Sequence, residues 1–215
     1  MRFVLLTLLF ITSLLVVSQS SDRDSLLSVW QDEQYDLDEC ITALLGVAQT
    51  YYGRDYDSLQ MLSQQALELA QEHKLVGSIT ASHNLLGNAN FRQANYEKAL
   101  VHYASAMNGA KLLNDSLRIA AQTNNMGTVN IYMRNFEEAI RILKETELLR
   151  RKLDDPKISS TVNNLGIAYQ RMRDFDRALV HFKEAATLKE AAGQYRSAAN
   201  TLQQHRHHSQ KSRKV

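Results

Sequence analysis

A chain of 215 residues with one proline, eight glycines and one cysteine has little that would interrupt or staple a fold. Proline and glycine are the strongest breakers of regular structure, so their scarcity points to long, uninterrupted helices. A single cysteine, Cys40, excludes an intrachain disulfide, and it is taken as a small apolar helix residue. An excess of either charge is also missing. The formal net charge is +2, and it is gathered at the end: Arg206, Lys211, Arg213 and Lys214 lie among the last thirteen residues, with no acid. Without those four and Arg2, 20 basic residues face 23 acidic ones, so no basic stripe exists to neutralise phosphates and nucleic acid is excluded as a partner. The motifs of catalysis are absent as well: no P-loop, G-x-G-x-x-G, H-E-x-x-H, C-x-x-C or G-x-S-x-G. His73, His83, His102 and His181 are scattered, and Glu137-Glu138 falls on a solvated helix face. The sequence thus predicts no enzyme, no cofactor and no metal. What remains, 44% apolar and 22% charged, is ordinary for a folded chain.

The N-terminus has the order of an export signal. Met1-Arg2 is followed by a fifteen-residue apolar run, Phe3 to Val17, and then by Ser18-Gln-Ser-Ser21. Val16-x-Ser18 suits cleavage after Ser18, and the run is shorter than the roughly 20 residues of a membrane-spanning helix. Residues 1–18 are therefore expected to act as a signal peptide, delivering a periplasmic or extracytoplasmic protein. An uncleaved anchor is the alternative, and that segment is the only contact with a membrane that the sequence predicts.

Self-similarity organises the rest. Asn84-Leu-Leu-Gly87, Asn124-Asn-Met-Gly127 and Asn163-Asn-Leu-Gly166 recur with their glycines 40 and 39 residues apart. Nine residues beyond each glycine stand Tyr96-Glu-Lys-Ala-Leu100, Phe136-Glu-Glu-Ala-Ile140 and Phe175-Asp-Arg-Ala-Leu179. A weaker copy joins Leu45-Gly46 to Tyr56-Asp-Ser58. Asp55, Asn95, Asn135 and Asp174 precede the aromatics and are N-cap types, able to accept from the free amides of a starting helix. Asp57, Glu97, Glu137 and Asp176 then place acids at the positive end of the helix dipole. Lys74-Leu-Val-Gly77, Asn114-Asp115, Asp154-Asp-Pro156 and Ala192-Gly193 are the expected breaks, with Pro156 in the first turn of the next helix. Each unit is thus a helical hairpin. The recurring Gly87, Gly127 and Gly166 are expected to face Ala99, Ala139 and Ala178, so that the two axes approach closely.

The pattern resembles the tetratricopeptide repeat family, whose unit carries an aliphatic-glycine pair and an aromatic, then alanine, an aromatic and alanine. Leu165, Gly166, Tyr169, Ala178, Phe182 and Ala185 fill those places. The resemblance covers about residues 25–200 and departs in two respects: a spacing near 40 rather than 34, and no proline at the unit's end. It implies an all-α, right-handed solenoid over 22–200. Its repeats fall at about 37–76, 77–115, 116–155 and 156–193, with a partial fifth at 194–202. Asp24-Ser-Leu-Leu-Ser-Val29, Tyr56-Asp-Ser-Leu and Ala66-Leu-Glu-Leu-Ala70 look like the start of bacterial extracytoplasmic sensors that precede a histidine kinase or a DNA-binding output domain.

Residues 203–215 break the pattern. After Thr201-Leu202 the register calls for Asn-Asn-aliphatic-Gly, yet Gln203-Gln-His-Arg-His-His208 follows. Read one nucleotide later, permitted codons give Asn-Asn-Ile-Gly, so this tail is taken as out of frame. A basic partner-binding arm and a metal site at His205, His207 and His208 are the rival readings. Exposed faces of Leu179, Phe182 and Leu188 are then expected to promote self-association at the C-terminal end.

A solenoid works through its concave wall, built from the first helix of each unit. Counting from the glycines, that wall takes Asn84, Asn88, Phe91 and Arg92; Asn124, Thr128, Ile131 and Tyr132; and Asn163, Ile167, Gln170 and Arg171. In the family an asparagine at the first position can hold a peptide backbone, since an amide both donates and accepts; alternatively it serves neighbouring helices. The expected function is binding of a protein or peptide by a sensor or adaptor module. The alternative is a truncated remnant of a longer sensor, which the nucleotides around codon 203 would decide.

Overall fold

The computed structural model describes residues 20–32 and 34–201; the leader at 1–18 and the tail at 203–215 lie outside the described residues. Among the described residues all regular structure is helical. The order is α1 (Ser20–Gln31), α2 (Leu37–Thr50), α3 (Tyr56–Glu72), α4 (Val76–Arg92), α5 (Tyr96–Leu112), α6 (Ser116–Tyr132), α7 (Phe136–Lys152), α8 (Ile158–Arg171) and α9 (Phe175–Ala191). A further helical segment runs over 195–201. No described helix is long and apolar enough to cross a membrane.

The 40-residue period has a simple composition. α4 and α5 have 17 residues each, and three residues separate α4 from α5 and α5 from α6. From α2 onward each turn passes through one left-handed residue, and most of these are not glycine: Lys74, Ala94, Asn114, Arg134, Asp154 and Arg173 have φ between 50° and 66°. The next amide returns to a carbonyl one turn back, as Asn95 N–H does to Asn90 O (2.8 Å) and Asp174 N–H to Tyr169 O (2.9 Å). This closure satisfies the helix's last carbonyls and makes the turn compact.

Helix starts differ from the sequence expectation in detail. Asp55 accepts from the Asp57 and Ser58 amides, and Asp174 from Arg177, as N-caps should. Asn95 and Asn135 occupy the same positions without a side-chain cap bond. Their ψ values of 65° and 64° stop short of the 97° and 78° at Asp55 and Asp174, so the amides are not aimed at the helix. Two expected breaks also move: Gly77 lies within α4, and Pro156 sits in a turn ahead of α8 rather than in its first turn.

The core is a run of small layers. Helices adjacent in sequence pack on one another, and first helices also touch across repeats, α2 with α4 and α6 with α8. That contact puts α2, α4, α6 and α8 on the inner wall of the solenoid. The glycines do not face the alanines of the second helix as expected. A Cβ on Gly87 would meet Tyr103 Cε1 at 2.6 Å, and one on Gly127 would meet Leu143 Cγ at 2.7 Å. On Gly166 it would meet Phe182 Cδ1 at 2.5 Å. Each glycine is therefore a socket for one large side chain. Phe182, seated in this way, is 1% exposed, which removes it from the apolar face expected at the C-terminal end; Leu179 beside it is 45% exposed. In the first repeat the matching residue is Ser63, and Leu26 of α1 fills the socket at Gly46 instead, 3.0 Å from the ideal Cβ. The Cys40 thiol is buried under the end of α1, against the carbonyls of Val29, Asp32 and Tyr35.

Candidate binding groove

The inner wall divides into a polar middle and an aromatic-basic end. In the middle, Asn124 is committed to the fold: its Oδ1 accepts from Thr161 Oγ1 at 3.0 Å and from Asn164 Nδ2 at 3.3 Å. Asn164 Nδ2 also donates to Thr128 Oγ1 at 3.0 Å, and Thr128 itself donates to Asn124 O. These bonds tie α6 to α8, so at Asn124 and Thr128 the structure favours the neighbouring-helix alternative. The Tyr103 hydroxyl likewise donates to Asn88 Oδ1 at 2.8 Å, and burial holds that phenol well above its ordinary range. Asn84, Asn163 and Gln170 are half-buried on the wall, and Ile167 packs against the core beneath it. Ile131, expected on the wall, is 5% exposed and belongs to the core, because its side of α6 turns toward Ala139 and Leu143.

The other end lies where the first helices finish. Arg92 donates through Nε (3.0 Å) and Nη2 (2.9 Å) to the Tyr52 hydroxyl, and its guanidinium stands 5.2 Å from the centre of the Tyr52 ring. The bonds to Tyr52 raise the Arg92 pKa. Tyr132, 55% exposed, meets Phe91 edge-on at 5.0 Å and Tyr96 at 6.0 Å. Arg171 is exposed one repeat further on. Arg92, Tyr132 and Arg171 hold the same register position, so this end presents a row of arginine, tyrosine and arginine across three repeats. Aromatic and arginine side chains are the usual anchors of protein interfaces. Tyr52 was missed because wall positions were counted only from Gly87, Gly127 and Gly166, and from Gly46 it stands at the sixth place rather than the fifth. Its separation of 40 residues from Arg92 is the signal that would have found it.

No group of three or more histidine, cysteine, aspartate or glutamate side chains suited to a metal occurs among the described residues.

The fold and this wall define a helical-hairpin solenoid of the tetratricopeptide type. Residues 118–191 match the tetratricopeptide repeat family. No curated protein sequence matches the chain. Among solved structures it is similar to BtubC (BKLC) from P. vanneervenii, with 22% identity over 82% of this chain and 74% of that one and a TM-score of 0.68. RapI in its apo form shares 16% identity over 85% and 71% of the two chains, with a TM-score of 0.73. A Rap protein complexed with competence and sporulation factor shares 19% identity over 80% and 51%, with a TM-score of 0.68. At these identities the likeness is one of fold.

Proposed function

We propose that the chain is a non-catalytic scaffold that binds a protein or peptide along its inner wall, as the extracytoplasmic sensor or adaptor part of a signalling system. The observation that carries the binding reading is the Tyr52–Arg92 and Phe91–Tyr132 end of the groove. Tyr52 and Phe91 rest on the core and hold Arg92 and Tyr132 above it, and Tyr132 remains more than half exposed. Asn84 and Asn163, further along the same wall, supply amides for a backbone. A Rap protein of similar fold was solved with competence and sporulation factor bound, which makes such a use of this architecture reasonable here. The extracytoplasmic setting rests on the Phe3–Val17 run and Ser18. If it is correct, N-terminal sequencing of protein recovered outside the cytoplasm begins at Gln19; intact Met1 on a cytosolic product would refute it.

The groove is tested by selecting binders from a random peptide library displayed on phage. Replacing Arg92 and Tyr132 together by alanine should weaken the selected peptides about five- to thirtyfold, as loss of an anchor worth about 1–2 kcal/mol does. Peptides that bind wild type and variant equally would place the interaction elsewhere.

A further inference from the structure

His83 of α4 and His102 of α5 meet across the second hairpin with their Nδ1 atoms 3.1 Å apart. The ring centroids are 5.4 Å apart, longer than the nitrogen separation by about two ring radii, so the two nitrogens point at one another. Each imidazole is half-buried. A hydrogen bond along this line needs one N–H and one lone pair. Two neutral rings in complementary tautomers provide that, and so do one neutral and one protonated ring. Two protonated rings do not: both nitrogens then carry hydrogen, and two like charges face each other.

Only the second repeat has this pair. The matching positions hold Thr42 and Leu62, Thr123 and Ile142, and Val162 and His181. In the third repeat Thr146 donates to Thr123, a contact that does not titrate.

We propose that His83 and His102 form an acid-sensitive clasp, which keeps α4 and α5 closed while the pair holds at most one extra proton and releases them when both rings are charged. The surroundings sharpen this behaviour. Burial depresses the pKa of both rings, His102 depresses His83 further, and Lys98, one turn earlier on α5, does the same to His102. The flanking helices carry Asp57, Glu68 and Glu72 on α3 and Arg118 on α6, while the shifts of both rings come first from burial, then from His102 on His83 and Lys98 on His102. The sign follows. An unfolded histidine takes its proton near pH 6.5, whereas the folded pair resists it. The clasp's contribution is therefore complete above about pH 6.5 and is lost as pH falls through the depressed folded values. Because α4 also carries Asn84, Asn88 and Arg92, acid would disturb the groove; that consequence rests on the binding reading, and the clasp itself does not.

The test is urea unfolding of the full chain from pH 8 to pH 5, for wild type and for the double variant His83→Thr/His102→Ile. The variant copies the third repeat, and His181 and the tail histidines are present in both proteins. One proton bound in excess by the unfolded chain changes the unfolding constant about tenfold per pH unit. Below pH 6 the wild-type constant should rise about tenfold more steeply per pH unit than the variant's. Parallel curves would overturn the clasp. Should the variant not fold, the imidazole NMR titration of wild type decides. Coupled titration of His83 and His102 below 6.5 supports the clasp, and independent titration near 6.5 overturns it.

Discussion

Replacing Gly166 by leucine should destabilise the protein by about 3 kcal/mol or more, at the upper end of the cost of overpacking a core. The cause is local. An added Cβ would stand 2.5 Å from Phe182 Cδ1, and the ring cannot swing away because it is 1% exposed within the fourth hairpin. Even alanine therefore requires α8 and α9 to separate, and leucine requires a larger shift. A double-mutant cycle distinguishes this socket from a general intolerance of α8. Phe182→Ala alone empties the site and should cost about 3–5 kcal/mol. With Gly166→Leu added, the new side chain grows into the space that the ring left, so the pair should cost well below the sum of the two single changes. Urea denaturation of the four proteins supplies the cycle. Additive costs would show that Gly166 and Phe182 do not share one site.

The same socket shows what could be read from the sequence and what could not. The recurrence of Gly87, Gly127 and Gly166 marked a geometric need, but not which residue met it. Alanine was the expected partner because it recurs at a fixed place. The structure instead seats Tyr103, Leu143 and Phe182, whose shared feature is size rather than identity. Hairpins and their order were legible because 17-residue helices with three-residue turns produce a strong period. Turn residues were less so: once the returning amide bonds hold the turn, arginine or alanine can occupy a left-handed position, and glycine at Gly53 and Gly193 is the minority. On the groove wall, positions followed from counting, whereas commitments did not. Asn84, Asn124 and Asn163 are equivalent in sequence. Asn124 is spent on Thr161 and Asn164 of the following repeat, a pairing that depends on how two helices lie against one another.

The second large effect is expected at Asp155, the carboxylate that closes the turn between α7 and α8. Its Oδ2 lies 3.3 Å from Nη1 of Arg150, and the two side chains are 6% and 3% exposed. Arg150 Nε and Nη1 have no hydrogen-bond acceptor, so Asp155 is the group that balances the buried guanidinium. Burial pushes the Arg150 pKa down while Asp155 pulls it up. Asp155→Asn keeps the size, and an oxygen able to accept from the Lys157 amide as Asp155 Oδ1 does at 2.9 Å, but it removes the charge. Stranding a buried charge in this way typically costs about 3–5 kcal/mol. The first repeat supplies a control that needs no ion pair: Ala70 and Leu75 stand there where Arg150 and Asp155 stand in the third, and the Leu75 amide returns to Ala70 O at 2.9 Å. Arg150→Ala/Asp155→Leu should therefore be less damaging than Asp155→Asn, despite changing more atoms. Thermal melts read the order directly. If Asp155→Asn melts with wild type, or the double variant melts below it, the turn is held by something other than the pairing of these two charges.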